Sequence, residues 1–165
     1  MPTDVINQLA GIAPDSRVGQ LRASREVAFK AAQGSFDELF EPDDPKGVSR
    51  QERDATAYRI AILEKSEPVI QLHRSRLQAL GLTESELEAI EQFPDGGAVS
   101  PRLAAILTHT DLLTIEPRNA TKADLEKLQA AGLTTTDIIT ISELIAFSSF
   151  QIRLLVALRA LSEDA

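Results

Sequence analysis

Four side chains capable of acid–base or hydrogen-bonding chemistry fall within twenty residues of this sequence: Asp54, Tyr58, Ser66 and His73. Ser66, Val69 and His73 stand at i, i+3 and i+7, a spacing that a helix gathers into about 60° of arc. Asp54 and Tyr58 are one turn apart and share a face if their segment is also helical. If the chain reverses near Lys65 into two side-by-side helices, a rise of about 1.5 Å per residue sets the heights. His73 then lies roughly 12 Å from the turn, Tyr58 roughly 10 Å and Asp54 roughly 16 Å. His73 is thus level with Tyr58, with Asp54 one turn deeper, within side-chain or water-bridged reach. A carboxylate beside an imidazole orients the ring and stabilises its charged form, an arrangement that general acid–base catalysis uses. The same spacing suits a structural role, with His73 opening a solvent-facing basic half of its helix beside Arg74 and Arg76. Asp54 is then an ordinary first-turn acid favoured by the helix dipole. On spacing alone the structural role is the commoner outcome, since structural ion pairs outnumber catalytic ones.

Absent residue types narrow the chemistry. The 165 residues include no cysteine, which excludes disulfides, thiolate nucleophiles and Cys-ligated zinc or iron–sulfur sites. Only His73 and His109 have an unperturbed pKa near neutrality. His109, in Leu107-Thr108-His109-Thr110-Asp111, marks a second polar cluster whose simplest role is that of a satisfied helical histidine. Zinc held by both histidines with Asp111 or Glu64 lacks tight ligand spacing, so no metal is expected. No phosphate-binding glycine loop or dinucleotide fingerprint occurs, and no cofactor is expected. Seventeen Lys and Arg face 25 Asp and Glu, a net charge of −8. The resulting pI near 4.8 argues against a nucleic-acid partner. The longest uncharged run in the C-terminal part, Leu144 to Ile152, is nine residues, short of a membrane span, so no membrane partner is expected. Met1-Pro2-Thr3-Asp4 lacks the basic start of a signal peptide, and the expected location is the cytoplasm.

The elements that must position these residues are helices. With 43% hydrophobic and 25% charged residues the chain has a globular balance, and nearly every segment boundary carries a helix signal. A short amphipathic piece runs from Asp4 to about Ile12. Ser16 caps a helix with Val18, Leu21, Val27, Ala28 and Ala31 on an apolar stripe, ended by Gly34, and Ser35 caps one further turn. A connector with two prolines, Glu41 to Gly47, follows. Ser49 and Glu52 form a capping box for a helix to about Glu64. Ser66 caps the next, with Pro68 in its first turn, which stops at Gly81. Thr83 and Glu86 box a helix to about Phe93, and Ser100-Pro101 opens one to about Ile115. Thr121 and Asp124 begin a short helix ending at Gly132. Thr134 and Asp137 begin the last and longest, to about Leu161, in which Arg153 is expected to pair with a carboxylate across the core or an interface. The fold class is all-α, a single domain over 1–165 with eight or so helices. Leu77 to Thr83 returns 51 residues later as Leu128 to Thr134, with six of seven positions identical. Shared helix–Gly–Thr-cap chemistry is the simpler account of that echo, and a duplicated helical unit is the alternative.

Asp54 through Glu64-Lys65-Ser66-Glu67-Pro68-Val69-Ile70-Gln71-Leu72-His73 to Gly81-Leu82-Thr83 resembles the signature hairpin of the alkylhydroperoxidase D / carboxymuconolactone decarboxylase superfamily. In its peroxidase branch an acid precedes the first Cys of a Cys-x-x-Cys-x-x-x-His motif by twelve residues. Asp54, Ser66, Val69 and His73 fall on those four positions. The last helix, with Phe150-Gln151-Ile152-Arg153, is similar to the closing helix of peroxidase-related members. The resemblance covers 16–161, leaving 1–15 as an N-terminal extension, and implies a multi-helix domain around a central antiparallel hairpin. It also implies homo-oligomers, trimers or hexamers, to which the apolar 134–161 helix offers a contact. Peroxidase chemistry needs one thiolate to attack the O–O bond and a second to resolve the sulfenic acid, so none is expected with Ser66 and Val69 in those places. What remains implied is proton-transfer chemistry on a small carbonyl or carboxylate ligand. His73 would act as acid or base, Asp54 as its orienter, and Tyr58 and Ser66 as hydrogen-bond donors. The alternative is a non-catalytic oligomeric subunit that keeps the fold and assists a thiol-bearing or redox partner.

Overall fold

Side-chain caps set most of the helix starts. The computed structural model describes residues 4–163, so the signal-peptide reading at Met1–Thr3 lies outside the described residues. The helices are α1 (Val5–Ala10), α2 (Arg17–Ala23), α3 (Glu26–Phe40), α4 (Arg50–Leu63), α5 (Glu67–Ala79), α6 (Glu84–Glu91), α7 (Pro101–Ile115), α8 (Lys122–Ala130) and α9 (Thr135–Glu163). A 3-10 turn, Pro117–Asn119, links α7 to α8, and no strand occurs among the described residues. Reciprocal capping boxes open α4 and α6 through Ser49–Glu52 and Thr83–Glu86, and at the start of α8 the Thr121 amide donates to Asp124 Oδ2 at 2.9 Å. The same exchange opens α9, where the Thr134 amide donates to Asp137 Oδ2 at 2.8 Å and the Asp137 amide donates back to Thr134 Oγ1 at 3.2 Å. Each box satisfies amides that a helix start leaves without partners.

The expected helix from Ser16 to Gly34 is instead two. Ser16 caps α2, which ends at Ala23, and α3 runs from Glu26 through Gly34 and Ser35 to Phe40. The supposed stripe does not face one core, because Leu21 is 60% and Val27 85% exposed. Phe36 and Phe40, both buried, draw the last turns of α3 onto the interior and carry the helix past its glycine.

The echoed segments make the same junction twice. Gly81 and Gly132 adopt φ of 93° and 87°, left-handed values that a glycine takes without Cβ strain. Leu82 and Leu133 each close their stop by donating to the Leu77 and Leu128 carbonyls at 3.1 Å.

α4 lies at the centre, packed against α3, α5, α6, α7 and α9, and every residue from Arg53 to Ala61 is buried. Its two arginines are tolerated because every guanidinium nitrogen of each has an acceptor. Arg53 donates to the carbonyls of Leu39, Pro45 and Val48 at 2.7, 3.1 and 2.9 Å. Arg59 forks onto Asp111 through two bonds of 2.7 Å and reaches the Glu91 carbonyl at 2.9 Å. α9 closes the core with Ile141, Leu144, Ile145, Ile152 and Leu155, and α1 packs on it, burying Val5, Ile6 and Ala10. By length and composition α9 could cross a membrane, yet half of its most apolar window is buried inside the protein. It is built as a core helix.

Candidate functional site

The hairpin of α4 and α5 brings Asp54 and His73 together. His73 Nδ1 lies 2.7 Å from Asp54 Oδ1, and both side chains are fully buried. Arg76, one turn beyond His73, donates its Nε to the same oxygen at 2.7 Å. Arg76 is itself held by Glu41 at 2.7 Å and by the Phe40 carbonyl at 2.9 Å. The Phe40 ring tilts against the imidazole with centroids 4.8 Å apart. Desolvation is the largest influence on His73 and moves its pKa below the usual histidine value, against the opposing pull of Asp54. The ring is therefore neutral near pH 7. The bond to Asp54 assigns its proton to Nδ1 and leaves the lone pair on Nε2. His73 Nε2 and Asp54 Oδ2 are both buried without a partner. A fold that finds an acceptor for every guanidinium nitrogen of Arg53 and Arg59 leaves these two atoms unsatisfied, at a cost of about 1–3 kcal/mol each.

A cleft of about 380 Å³ opens beside the pair, lined by Phe40, Glu41, Arg50, Asp54, Arg76 and Leu80 among others. Phe40 both borders the cleft and packs on the imidazole, whereas His73 itself is not among the residues lining that space.

The other expected members do not join. Tyr58 turns its hydroxyl to Glu91 and accepts a bond from Arg74 at 3.2 Å, while Arg74 also reaches Glu91 at 2.7 Å. Its ring packs with Leu77, Leu87 and Ile90 in a separate core cluster. Burial, reinforced by the bond to Glu91, pushes its phenol pKa up to about 12, so it stays protonated. Ser66 sits at the cap position of α5 but its side chain makes no capping bond. Seven residues of helix place it roughly 10 Å along the axis from His73. Val69 is fully buried in the main core. Nor does His73 open a solvent-facing half: it is buried, and Arg76 turns inward to its carboxylate. Asp111 is taken by Arg59, Glu64 accepts from Ser149 at 2.9 Å, and His109 is buried with neither ring nitrogen partnered. No cluster of three or more metal-ligating side chains forms among the described residues.

Sequence spacing missed Arg76 and Phe40 as members of this site. Arg76 stands three residues after His73, a spacing that signals a helical neighbour. Nothing local ties Phe40 to a ring 33 residues away.

Solved structures share this architecture. A peroxidase-related protein from Silicibacter sp. TM1040 superposes with a TM-score of 0.75 at 18% identity, over 93% of this chain and 78% of the other. An alkylhydroperoxidase AhpD core protein from Ralstonia eutropha JMP134 gives 0.73 at 20% identity, over 92% and 78%. A protein of unknown function from Agrobacterium tumefaciens, named for AhpD, gives 0.74 at 20% identity, over 88% and 96%. The fold is that of the alkylhydroperoxidase D-like proteins. No protein-family model and no curated protein matches the chain by sequence. In the hairpin of this fold Asp54 and His73 are in contact, and Ser66 and Val69 between them carry a hydroxyl and an aliphatic side chain.

Proposed function

We propose that this chain is a thiol-free form of the alkylhydroperoxidase D-like fold whose remaining chemistry is proton transfer by His73 on a small carbonyl or carboxylate compound. The observation that supports it is the state of the ring: anchored through Nδ1 by Asp54, neutral, with Nε2 buried and unpartnered. That is a general base held in one tautomer. Asp54 is the positioning residue, and it stabilises the imidazolium formed when Nε2 takes a proton from a carbon next to a carbonyl. Arg50 and Arg76 line the adjoining cleft and suit a carboxylate, Arg through its planar fork of donors. Tyr58 and Ser66 have no part in the step. The ligand reaches the ring by displacement of Phe40. Peroxide reduction is outside this chemistry, since no thiolate is available to form and resolve a sulfenic acid.

The test is solvent deuterium exchange into short 2-oxo acids such as pyruvate, followed by proton NMR on wild type, His73→Asn and Phe40→Val. Exchange catalysed by wild type, lost in His73→Asn and retained or faster in Phe40→Val, is the expected pattern. No exchange with any compound of the class, or exchange indifferent to His73→Asn, overturns the proposal.

A second reading has its own support: Asp54 Oδ2 and His73 Nε2 are both sealed from solvent. On it the pair is a remnant, and the chain is a non-catalytic oligomeric subunit that assists a thiol-bearing or redox partner. His73→Asn then alters stability alone.

A further inference from the structure

His109 takes no part in the hairpin pair, yet it is buried with neither ring nitrogen partnered. It lines a cavity of about 250 Å³ between α7 and α8, together with Ala104, Ala105, Leu112, Asp124 and Lys127. At about 30 Å³ for each water, that is room for about eight waters or for a small organic molecule. Asp124 is not the partner His109 lacks, because both of its oxygens are taken. Oδ2 accepts from the Thr121 amide and hydroxyl at 2.9 and 2.8 Å, and Oδ1 from Lys127 Nζ at 2.9 Å. Lys127 keeps further N–H donors to offer.

The first hairpin shows what is missing. The offset of 51 residues that relates Gly81 to Gly132 also carries the start of α4 onto that of α7, and the end of α5 onto that of α8. It puts Asp124 and Lys127 at the register positions of His73 and Arg76, and Ala105 at that of Asp54. In the first hairpin the Asp54 carboxylate ties an imidazole to a cation. In the second an imidazole lies one turn beyond Ala105 and a cation remains at 127, but no carboxylate stands at 105. Ala105 lines the cavity instead, and its methyl fills less of it than an aspartate side chain would.

We propose that this cavity is a second ligand site, which takes the carboxylate of a short-chain monocarboxylic acid between His109 and Lys127. One carboxylate oxygen accepts the imidazole N–H and the other accepts from the ammonium, a charge-assisted bond. The alkyl end lies on Ala104, Ala105 and Leu112. Those apolar walls favour a carboxylate over inorganic phosphate, whose further oxygens would be buried against methyl groups without donors. Asp124 holds Lys127 in place and, bonded through both oxygens, does not compete for the ring. The site is separate from the Asp54–His73 pair and holds for either reading of that pair.

Proton–nitrogen correlation NMR of the imidazoles tests it, since the chain has only two histidines to resolve. Sodium acetate, propionate and butyrate are titrated into the full chain at constant ionic strength, with chloride and inorganic phosphate titrated in parallel. The expected result is a saturable shift of the His109 signals, with half-saturation between about 0.1 and 10 mM. Affinity should rise by up to about fourfold for each methylene added from acetate to butyrate. Lys127→Met should weaken binding about tenfold or more. Ala105→Asp supplies the carboxylate from the chain itself, so it should abolish butyrate binding and move the His109 signals toward their butyrate-saturated positions. Circular dichroism verifies helix content in each variant, and Lys127→Met, at a largely exposed side chain, keeps the test alive if Ala105→Asp does not fold. His73→Gln should leave the His109 titration unchanged, which separates this site from the chemistry proposed for His73. No saturable shift by about 100 mM overturns the proposal and leaves the cavity to water. So does an equal response to phosphate or chloride, or a butyrate titration indifferent to Lys127→Met.

Discussion

Replacing Asp54 with alanine tests whether the buried triad holds the hairpin as its geometry requires. One oxygen, Asp54 Oδ1, accepts from both His73 Nδ1 and Arg76 Nε at 2.7 Å, where Asp54 and His73 have no solvent exposure. Alanine strands the imidazole with both ring nitrogens buried and unpartnered. Arg76 fares better: its side chain is 22% exposed and keeps Glu41 and the Phe40 carbonyl. Breaking a buried charged set by removing one partner costs about 3–5 kcal/mol, and the partial exposure of Arg76 puts this case near about 3 kcal/mol. Asparagine keeps one acceptor oxygen in nearly the same volume and should cost about 1–2 kcal/mol. At this chain length each kcal/mol lowers Tm by about 2–4 °C, so the expected drops are roughly 6–12 °C for Asp54→Ala and roughly 2–8 °C for Asp54→Asn. Thermal and urea unfolding followed by circular dichroism measure both. A loss below about 1 kcal/mol for Asp54→Ala would refute the reasoning, because the carboxylate would then not be the group that satisfies His73 and Arg76.

Stability should depend on pH in a definite direction. Burial lowers the pKa of His73 and of His109 below 6.5, so the unfolded chain binds protons first. The neutral-histidine contribution is whole above about pH 6.5 and declines as pH falls, by up to about 1.4 kcal/mol per pH unit for each histidine. Urea unfolding between about pH 7 and about pH 5 should show this fall, reduced in His73→Gln. A flat profile contradicts it. The single tyrosine permits an unambiguous phenolate titration by ultraviolet absorbance, with a midpoint at about 12. In Glu91→Gln that midpoint should move down, and an ordinary value near 10 in the wild type would mean that the phenol is solvated.

Much of the fold was readable locally. Cap pairs three residues apart announced α4, α6, α8 and α9, and α7 begins at Ser100-Pro101 as expected. The break between α2 and α3 was not readable, because Phe36 and Phe40 decide it by finding burial against distant helices. At the site, comparing heights along two rods correctly brought Asp54 within reach of His73. It placed Tyr58 beside His73 wrongly, because height says nothing of rotation about the axis. Tyr58 faces the cluster of Leu77 and Leu87, whereas His73 meets Phe40. Arg76 was visible as a charge three residues on, but its inward turn depends on Glu41, from a connector with no periodic signal.

By itself the amino-acid sequence determined where most helices begin and that no thiol chemistry can occur on this chain. Both follow from residue identity within a few positions: a cap is a bond across three residues, and an absent sulfur is absent in any conformation. Tertiary structure alone decided that the imidazole is neutral, dry and packed against Phe40. Desolvation depends on which other helices cover a group, and those lie tens of residues away along the chain.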